Sequence, residues 1–380
     1  MPHGPALLGA TGPRRAAMIE SLRRLVEHES PSLDKPALDG LARTIAARFG
    51  RLGGTVDLVP NDAGGVHVRA RFGPDSGGPP ALVLGHYDTV WPVGTLAEMP
   101  FLVDGEKVYG PGIFDMKASL VVVEEAIEAV RALGLRLPRP VVVLFTSDEE
   151  IGSLRSRDLL ESEARPSAYT LVVEPPLADG GLKTARKGTG IFTVEVQGVS
   201  AHAGVEPEKG RSAIVELAHQ ILAIQGLARP ELGTTLNVGV VSGGTTSNVV
   251  PSHATAKVDA RIMTMTEAAR LEAEIKALRP VTPGVTLTIT GRIKRPPMER
   301  TPAVVGLLDR VRPIAATLGL DLTDGSTGGA SDANFTAALG IPTIDGLGAP
   351  GAGAHALHEH ILIDQLPIRA ALLAALLLEL

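Results

Sequence analysis

Three apolar runs rich in β-branched residues, Ala81–Leu84, Val141–Phe145 and Tyr169–Val173, lead straight into acidic or imidazole side chains. The first reaches His86 and Asp88, the second Asp148, Glu149 and Glu150, and the third Glu174. Helical patterns near Lys117–Leu133 and Arg155–Glu163 separate them. Near-continuous apolar strands with helices between them specify a parallel sheet covered on both faces. Ligands of such sheets bind beyond the carboxyl ends of the strands, so these acids and His86 should converge. A further strand, Ile341–Asp345, feeds the loop that carries His355.

From about Thr189 to Thr290 the rhythm changes to strand Gly190–Gln197, helix Arg211–Leu227, strand Thr234–Val241, strand Ala254–Ile262, helix Thr266–Leu278 and strand Val285–Thr290. That β-α-β-β-α-β order predicts a ferredoxin-like unit. After Pro296–Pro297 the first rhythm resumes, with helices near Pro302–Leu318 and Ser331–Leu339 and a final helix Gln365–Leu378. A length of 380 residues accommodates roughly two or three domains at about 100–200 residues each. The expected division is a discontinuous domain of 1–187 and 296–380, interrupted by a smaller one at 188–295.

Composition narrows the function classes. With 44% hydrophobic and 21% charged residues the chain has ample material for a folded core. A net charge of −6 without a dense basic run argues against nucleic acid as a partner. The longest apolar run, Ala370–Leu378, is nine residues, about half of the ~18 that suggest a membrane span. The segment Ala16–His28 carries Glu20, Arg23 and Arg24 where a secretory signal needs an uncharged stretch, so a cytoplasmic protein with no membrane partner is expected.

Carboxylates crowded at one sheet edge lose hydration and repel one another, at several kcal/mol per ion unless paired or metal-bound. No Lys/Arg cluster lies in those segments, and the chain has no cysteine, so a metal held by His, Asp and Glu is the economical counter-charge. His86 and Asp88 lie two apart on an extended segment, which lets the carboxylate orient the imidazole. Asp115, just before a helix, reads either as its N-cap or as a ligand. Glu149 and Glu150 are adjacent and point in different directions, so one can bind metal while the other handles a proton, unless both simply form an acidic turn. His355, His358 and His360 crowd one loop, and spacing alone does not say which is a ligand.

Taken in order, His86-Tyr-Asp-Thr-Val90, Gly110-Pro-Gly-Ile-Phe-Asp-Met-Lys117, Ser147-Asp-Glu-Glu150, Glu174-Pro175 and Ala354-His-Ala-Leu-His-Glu359 resemble the di-zinc aminoacylase/carboxypeptidase family of metallopeptidases. The nearest likeness is to bacterial glutamate carboxypeptidases. Further matches are Ser200-Ala-His-Ala-Gly204, Glu208-Lys-Gly-Arg-Ser212, Ser247-Asn-Val-Val-Pro251, Asp259-Ala-Arg261 and Thr327-Gly-Gly-Ala-Ser-Asp332. The resemblance spans nearly the whole chain, and joint occurrence in order is far more specific than any one motif.

The resemblance implies a zinc-peptidase-like, mainly parallel α/β sheet flanked by helices, with the inserted unit serving as a lid and dimerisation domain. It implies two Zn2+ per subunit, with Co2+ or Mn2+ as substitutes. Asp115 would bridge them, His86 and Glu174 would complete one site, and Glu150 and His355 the other, His355 being selected by its His-x-x-x-Glu spacing to Glu359. Glu149 would then be the general base, Asp88 a supporting catalytic residue, and His202 an oxyanion donor reaching into the partner of a homodimer. Arg295 resembles the residue that grips the substrate's terminal carboxylate, a bidentate task suited to guanidinium. Asn248, Arg261 and Gly328 resemble supporting substrate-binding positions.

The expected activity is hydrolysis of an amide or peptide bond beside a free carboxylate, releasing a C-terminal amino acid from a small peptide or N-acyl partner. Two alternatives stay open: an N-acyl-amino-acid deacylase or dipeptidase on the same scaffold, and a catalytically silent ligand-binding or assembly protein. His358, His360 and the Arg186-Lys187 pair depart from the glutamate-type pattern.

Overall fold

The computed structural model describes residues 3–75 and 78–380. They form two compact units, one comprising Met1–Thr184, Arg300–Thr327 and Ser331–Leu380, the other Ala185–Glu299 with Gly328–Ala330.

Among the described residues, ten strands build the six-stranded sheet of the larger unit and the four-stranded sheet of the smaller: β1 (Thr55–Val59), β2 (His67–Phe72), β3 (Ala81–His86), β4 (Val141–Thr146), β5 (Tyr169–Val172), β6 (Gly188–Gln197), β7 (Thr235–Gly243), β8 (His253–Ile262), β9 (Thr286–Arg295) and β10 (Thr343–Ile344). The larger unit holds a six-stranded sheet in the order β1-β2-β4-β3-β5-β10. Its centre is parallel, since β3 pairs in parallel with β4 and β5, and β10 with β5. Every residue of β3, β4 and β5 is buried, which is why these runs read as continuously apolar.

One edge differs from the sequence expectation. β1 and β2 form an antiparallel hairpin, and β2 joins β4 antiparallel. Polar residues such as Thr55, Asp57 and Arg71 break up the apolar pattern here, and β1 has no buried residue, as suits an edge strand. The predicted strand Ile341–Asp345 shortens to the two residues of β10.

Helices Ala118–Ala132 and Gln365–Glu379 pack on the sheet and on each other, and the C-terminal helix is buried from Leu366 through Leu377 apart from Ile368. Its apolar run is therefore core. Among the described residues no helix is long and apolar enough to cross a membrane.

The second unit is a four-stranded antiparallel sheet, order β7-β8-β6-β9, with helices Ala213–Gln225 and Met265–Ala277. Alternate residues of β6 and β8, among them Phe192, Val194, Val196, Ala254, Ala256 and Val258, bury one face against Leu217, Ile224, Leu271 and Ile275. Ser212 and Thr264 cap the two helices by accepting the Val215 and Glu267 N–H groups, both at 3.2 Å. The βαββαβ order is that of a ferredoxin-like unit.

Candidate metal centre

Strand register brings the acids together. His86 ends β3 opposite Thr146, the last residue of β4, and Leu84 lies opposite Val172 at the end of β5. Parallel strands leave the sheet at the same edge, so the turn containing Glu149 and Glu150 and the segment at Glu174 emerge beside His86. Asp115 enters from the segment Ile113–Lys117 ahead of the helix Ala118–Ala132, and His355 from a turn after the short strand Gly351–Ala352.

His86 Nε2 lies 3.1 Å from Asp115 Oδ1 and 3.5 Å from Glu174 Oε1. His355 Nε2 lies 3.1 Å from Glu150 Oε1 and 3.4 Å from Asp115 Oδ2. The two oxygens of Asp115 thus face different imidazoles. One donor atom from each of His86, Asp115 and Glu150 lies within 4.8 Å of the others, close enough to share a cation.

These contacts shift proton affinities strongly. His355 is pushed up to about 10, first by hydrogen bonds with Asp115 and Glu150. His86, fully buried, is held well above the usual imidazole range, because Asp115 and Asp88 outweigh the opposing effect of burial. Burial also opposes ionisation of Asp115, yet His355 and His86 hold its carboxyl below the usual range. For Glu150, burial wins and raises it. Without a cation, protons on the imidazoles offset part of the carboxylate charge. Two imidazoles and three carboxylates with no thiolate form an N/O donor set suited to zinc, cobalt or manganese, so the residues fit a divalent metal.

Two details sharpen the sequence picture. The Asp115 side chain does not cap the helix Ala118–Ala132, whose N-cap residue is Lys117 without a side-chain cap bond. His86 Nδ1 lies 3.0 Å from the backbone carbonyl oxygen of Asp88 and 3.4 Å from its carboxylate Oδ1, so both groups of Asp88 face the ring. The buried Asp88 carboxylate also accepts the Ser32 hydroxyl at 2.7 Å and the N–H groups of Glu149 and Glu150, each at 3.2 Å. It therefore holds the acidic turn. Glu149 itself is half-buried.

Of the neighbouring histidines, His358 is exposed and His360 is buried against Tyr109, with ring centroids 5.2 Å apart. The sequence assigns no role to two further residues: Glu359 enters only through its spacing to His355, and Lys117 only as the end of a motif and the start of a helix. Lys117 is fully buried, donates from Nζ to the His28 carbonyl at 2.8 Å, and is pushed down to about 7 by burial. A lysine inside a run that otherwise turns apolar was the available signal.

The remaining predicted residues lie in the second unit. His202 is exposed, and its Nδ1 accepts the Gly204 N–H at 3.1 Å, which leaves the ring proton on Nε2. Asn248 is exposed and accepts the Thr246 hydroxyl at 3.2 Å. Arg261 pairs with Asp259 at 2.8 Å and donates to the Gly328 carbonyl at 3.4 Å. Arg295 is buried at the end of β9, opposite Thr189. Arg186 is buried as well and donates to the Gly329 carbonyl at 3.1 Å.

An α/β sheet that gathers imidazoles and carboxylates within reach of one cation, with Glu149 beside the ligand candidate Glu150, defines a metal-dependent hydrolase. Residues 82–379 match peptidase family M20/M25/M40, and the chain belongs to that family. It is 31% identical to carboxypeptidase G2 of Pseudomonas sp. strain RS-16, across 98% of this chain and 92% of that protein. It is 27% identical to a succinyl-diaminopimelate desuccinylase of Dechloromonas aromatica, across 95% and 98% of the two chains. Among solved structures, aminopeptidase PepT of Bacillus cereus shares the fold with a TM-score of 0.81 at 22% identity, covering 96% of this chain and 98% of that one.

Proposed function

We propose that the chain is a two-zinc amidohydrolase that cleaves the amide bond beside a free carboxylate and releases a C-terminal amino acid, as a glutamate-type carboxypeptidase. The observation that carries this reading is Asp115, whose Oδ1 and Oδ2 face His86 and His355 respectively. A carboxylate so divided is suited to bridging two cations. His86 and Glu174 then complete one site, and Glu150 and His355 the other. Bound there, zinc supplies Lewis-acid polarisation of the scissile carbonyl and of the attacking water.

The protein's own groups do the rest. Glu149 takes the proton released by the attacking water and returns it to the leaving amine. Asp88 keeps Glu149 and Glu150 in place through their backbone. His202, with its proton on Nε2, donates a hydrogen bond to the oxyanion, and it acts from the second copy of a homodimer. Arg295 pairs with the substrate's free carboxylate, while Asn248, Arg261 and Gly328 shape the surroundings of the scissile group. The working compartment in this reading is the cytoplasm.

Rates on N-acyl-glutamates, N-acetyl amino acids and dipeptides, measured after chelation and after zinc add-back, test the reading. Zinc-dependent hydrolysis with a preference for C-terminal glutamate is expected. Preference for N-acetyl amino acids or dipeptides moves the assignment to a deacylase or dipeptidase. Inertness of zinc-loaded protein across the panel overturns it in favour of a silent binding protein.

A further inference from the structure

Glu359 is fully buried, and each of its carboxylate oxygens accepts two N–H groups. Oε1 takes the backbone N–H of Phe114 at 2.9 Å and of Asp115 at 3.0 Å. Oε2 takes the backbone N–H of Gly112 at 3.0 Å and the Trp91 indole N–H at 2.8 Å. All four acceptor directions of the carboxylate are thereby used.

The three backbone donors belong to the segment that delivers Asp115. Glu359 itself lies four residues after His355, immediately before a short strand, His360–Leu362, that pairs antiparallel with Lys107–Tyr109. One carboxylate therefore fastens together the two loops whose side chains, Asp115 and His355, meet at 3.4 Å. Backbone N–H groups at a turn have no helical or sheet partner, and buried ones left unpaired are costly, so this carboxylate decides the course of the Asp115 loop.

We infer that Glu359 is a positioning residue for the metal centre: by gathering the N–H groups of Gly112, Phe114 and Asp115 it fixes Asp115 between His86 and His355 and so sets the affinity for the second cation. The inference rests on the two-zinc reading above. It differs from a general structural role because the groups it orders are those that aim one ligand.

The test is Glu359→Gln. An amide in place of the carboxylate turns an NH2 group toward two N–H donors, whichever way it flips, so one pair of hydrogen bonds is lost and replaced by repulsion. Zinc affinity is measured on metal-free protein by competition with a chromophoric chelator, and zinc content by metal analysis after gel filtration.

The expected result is a folded metal-free variant in which the weaker of two zinc affinities falls by about 10- to 100-fold. Retained zinc then drops from two ions toward one, and turnover recovers in excess zinc. A folded variant with wild-type affinity and zinc content overturns the inference, whereas wild-type protein that binds no zinc overturns the metal reading itself. Should the variant not fold, amide hydrogen exchange in metal-free wild-type protein decides: protection of the Phe114 and Asp115 N–H groups is expected, and exchange at the rate of an open loop overturns the clamp.

Discussion

Asp88 holds Glu150 by its backbone: Asp88 Oδ2 accepts the Glu150 N–H at 3.2 Å, while Oδ1 accepts the N–H of Glu149 at the same distance. Both oxygens thus face N–H donors from the turn that carries the proposed base and a proposed ligand. Asp88→Asn must present an amide nitrogen to one of them. The expected outcome is a loss of about 10- to 100-fold in turnover or zinc affinity, with about 1–3 kcal/mol lost from stability for the buried group left unpaired. Steady-state kinetics and thermal unfolding check this, and wild-type values in both would remove Asp88 from the role.

Glu149 is assigned to proton transfer rather than to metal. Glu149→Gln keeps the side chain's volume and the Asp88 contact, which is made by the backbone, but removes the proton acceptor. Zinc content should stay at the wild-type level while kcat falls by about 100- to 10,000-fold. Metal analysis alongside kcat separates the two effects. A variant turning over at near-normal rates would place the base elsewhere.

Much of this centre is legible in the sequence, for a physical reason. His86 ends one buried strand while Glu150 and Glu174 follow two others, and parallel strands of one sheet expose their carboxyl ends on the same edge, so order along the chain fixes position in space. Asp115 and His355 are less legible because they sit on loops whose paths depend on hydrogen bonds to distant residues, such as those from the Asp115 segment to Glu359. Two-residue spacing shows which side chains share a face, but not that a carbonyl lies nearer than the carboxylate. The β1–β2 hairpin is not legible in the sequence because an edge strand need not carry a continuous apolar run.

The pH dependence of metal binding follows from His355. In the metal-free protein its folded value, about 10, lies above the ordinary imidazole value of 6.5, so the ring is protonated near neutrality and zinc must displace that proton. Affinity should rise as pH increases toward 10. Calorimetry at pH 7 in buffers of different ionisation enthalpy should register proton release, and the amount should fall in His355→Ala. Binding enthalpies independent of buffer would contradict the assignment.

Stability of the metal-free protein should move in the opposite direction. A group whose folded value is raised contributes stability that is fully present below about 6.5 and is lost as pH rises through 10. Lys117 has the contrary sign: its folded value near 7 means that the unfolded chain binds more protons from there up to 10.5, so its contribution improves with pH. The comparison that isolates His355 is therefore wild type against His355→Ala. Their difference in stability should narrow between pH 7 and pH 10.5 in chemical denaturation, and a constant difference would show that the imidazole gains nothing from Asp115 and Glu150.

Gly348 sits in the loop that runs from β10 toward His355. Its N–H donates to the Glu174 carbonyl at 3.0 Å. A Cβ at this position would lie 2.3 Å from Ser119 Oγ, 2.5 Å from the Val173 carbonyl oxygen and 2.8 Å from that of Glu174. Two of these atoms are backbone, so no side-chain rotation relieves the overlap. Gly348→Ala must displace either the chain leaving β5, which carries Glu174, or the loop that continues to His355. A stability loss of about 1–3 kcal/mol is expected, together with weaker zinc binding, because both movable segments carry ligands in the proposed centre. Adding Ser119→Ala should not restore binding, since it clears only the hydroxyl contact. If Gly348→Ala melts like wild type and holds zinc equally well, the close approach of this loop to Glu174 has no part in shaping the metal centre.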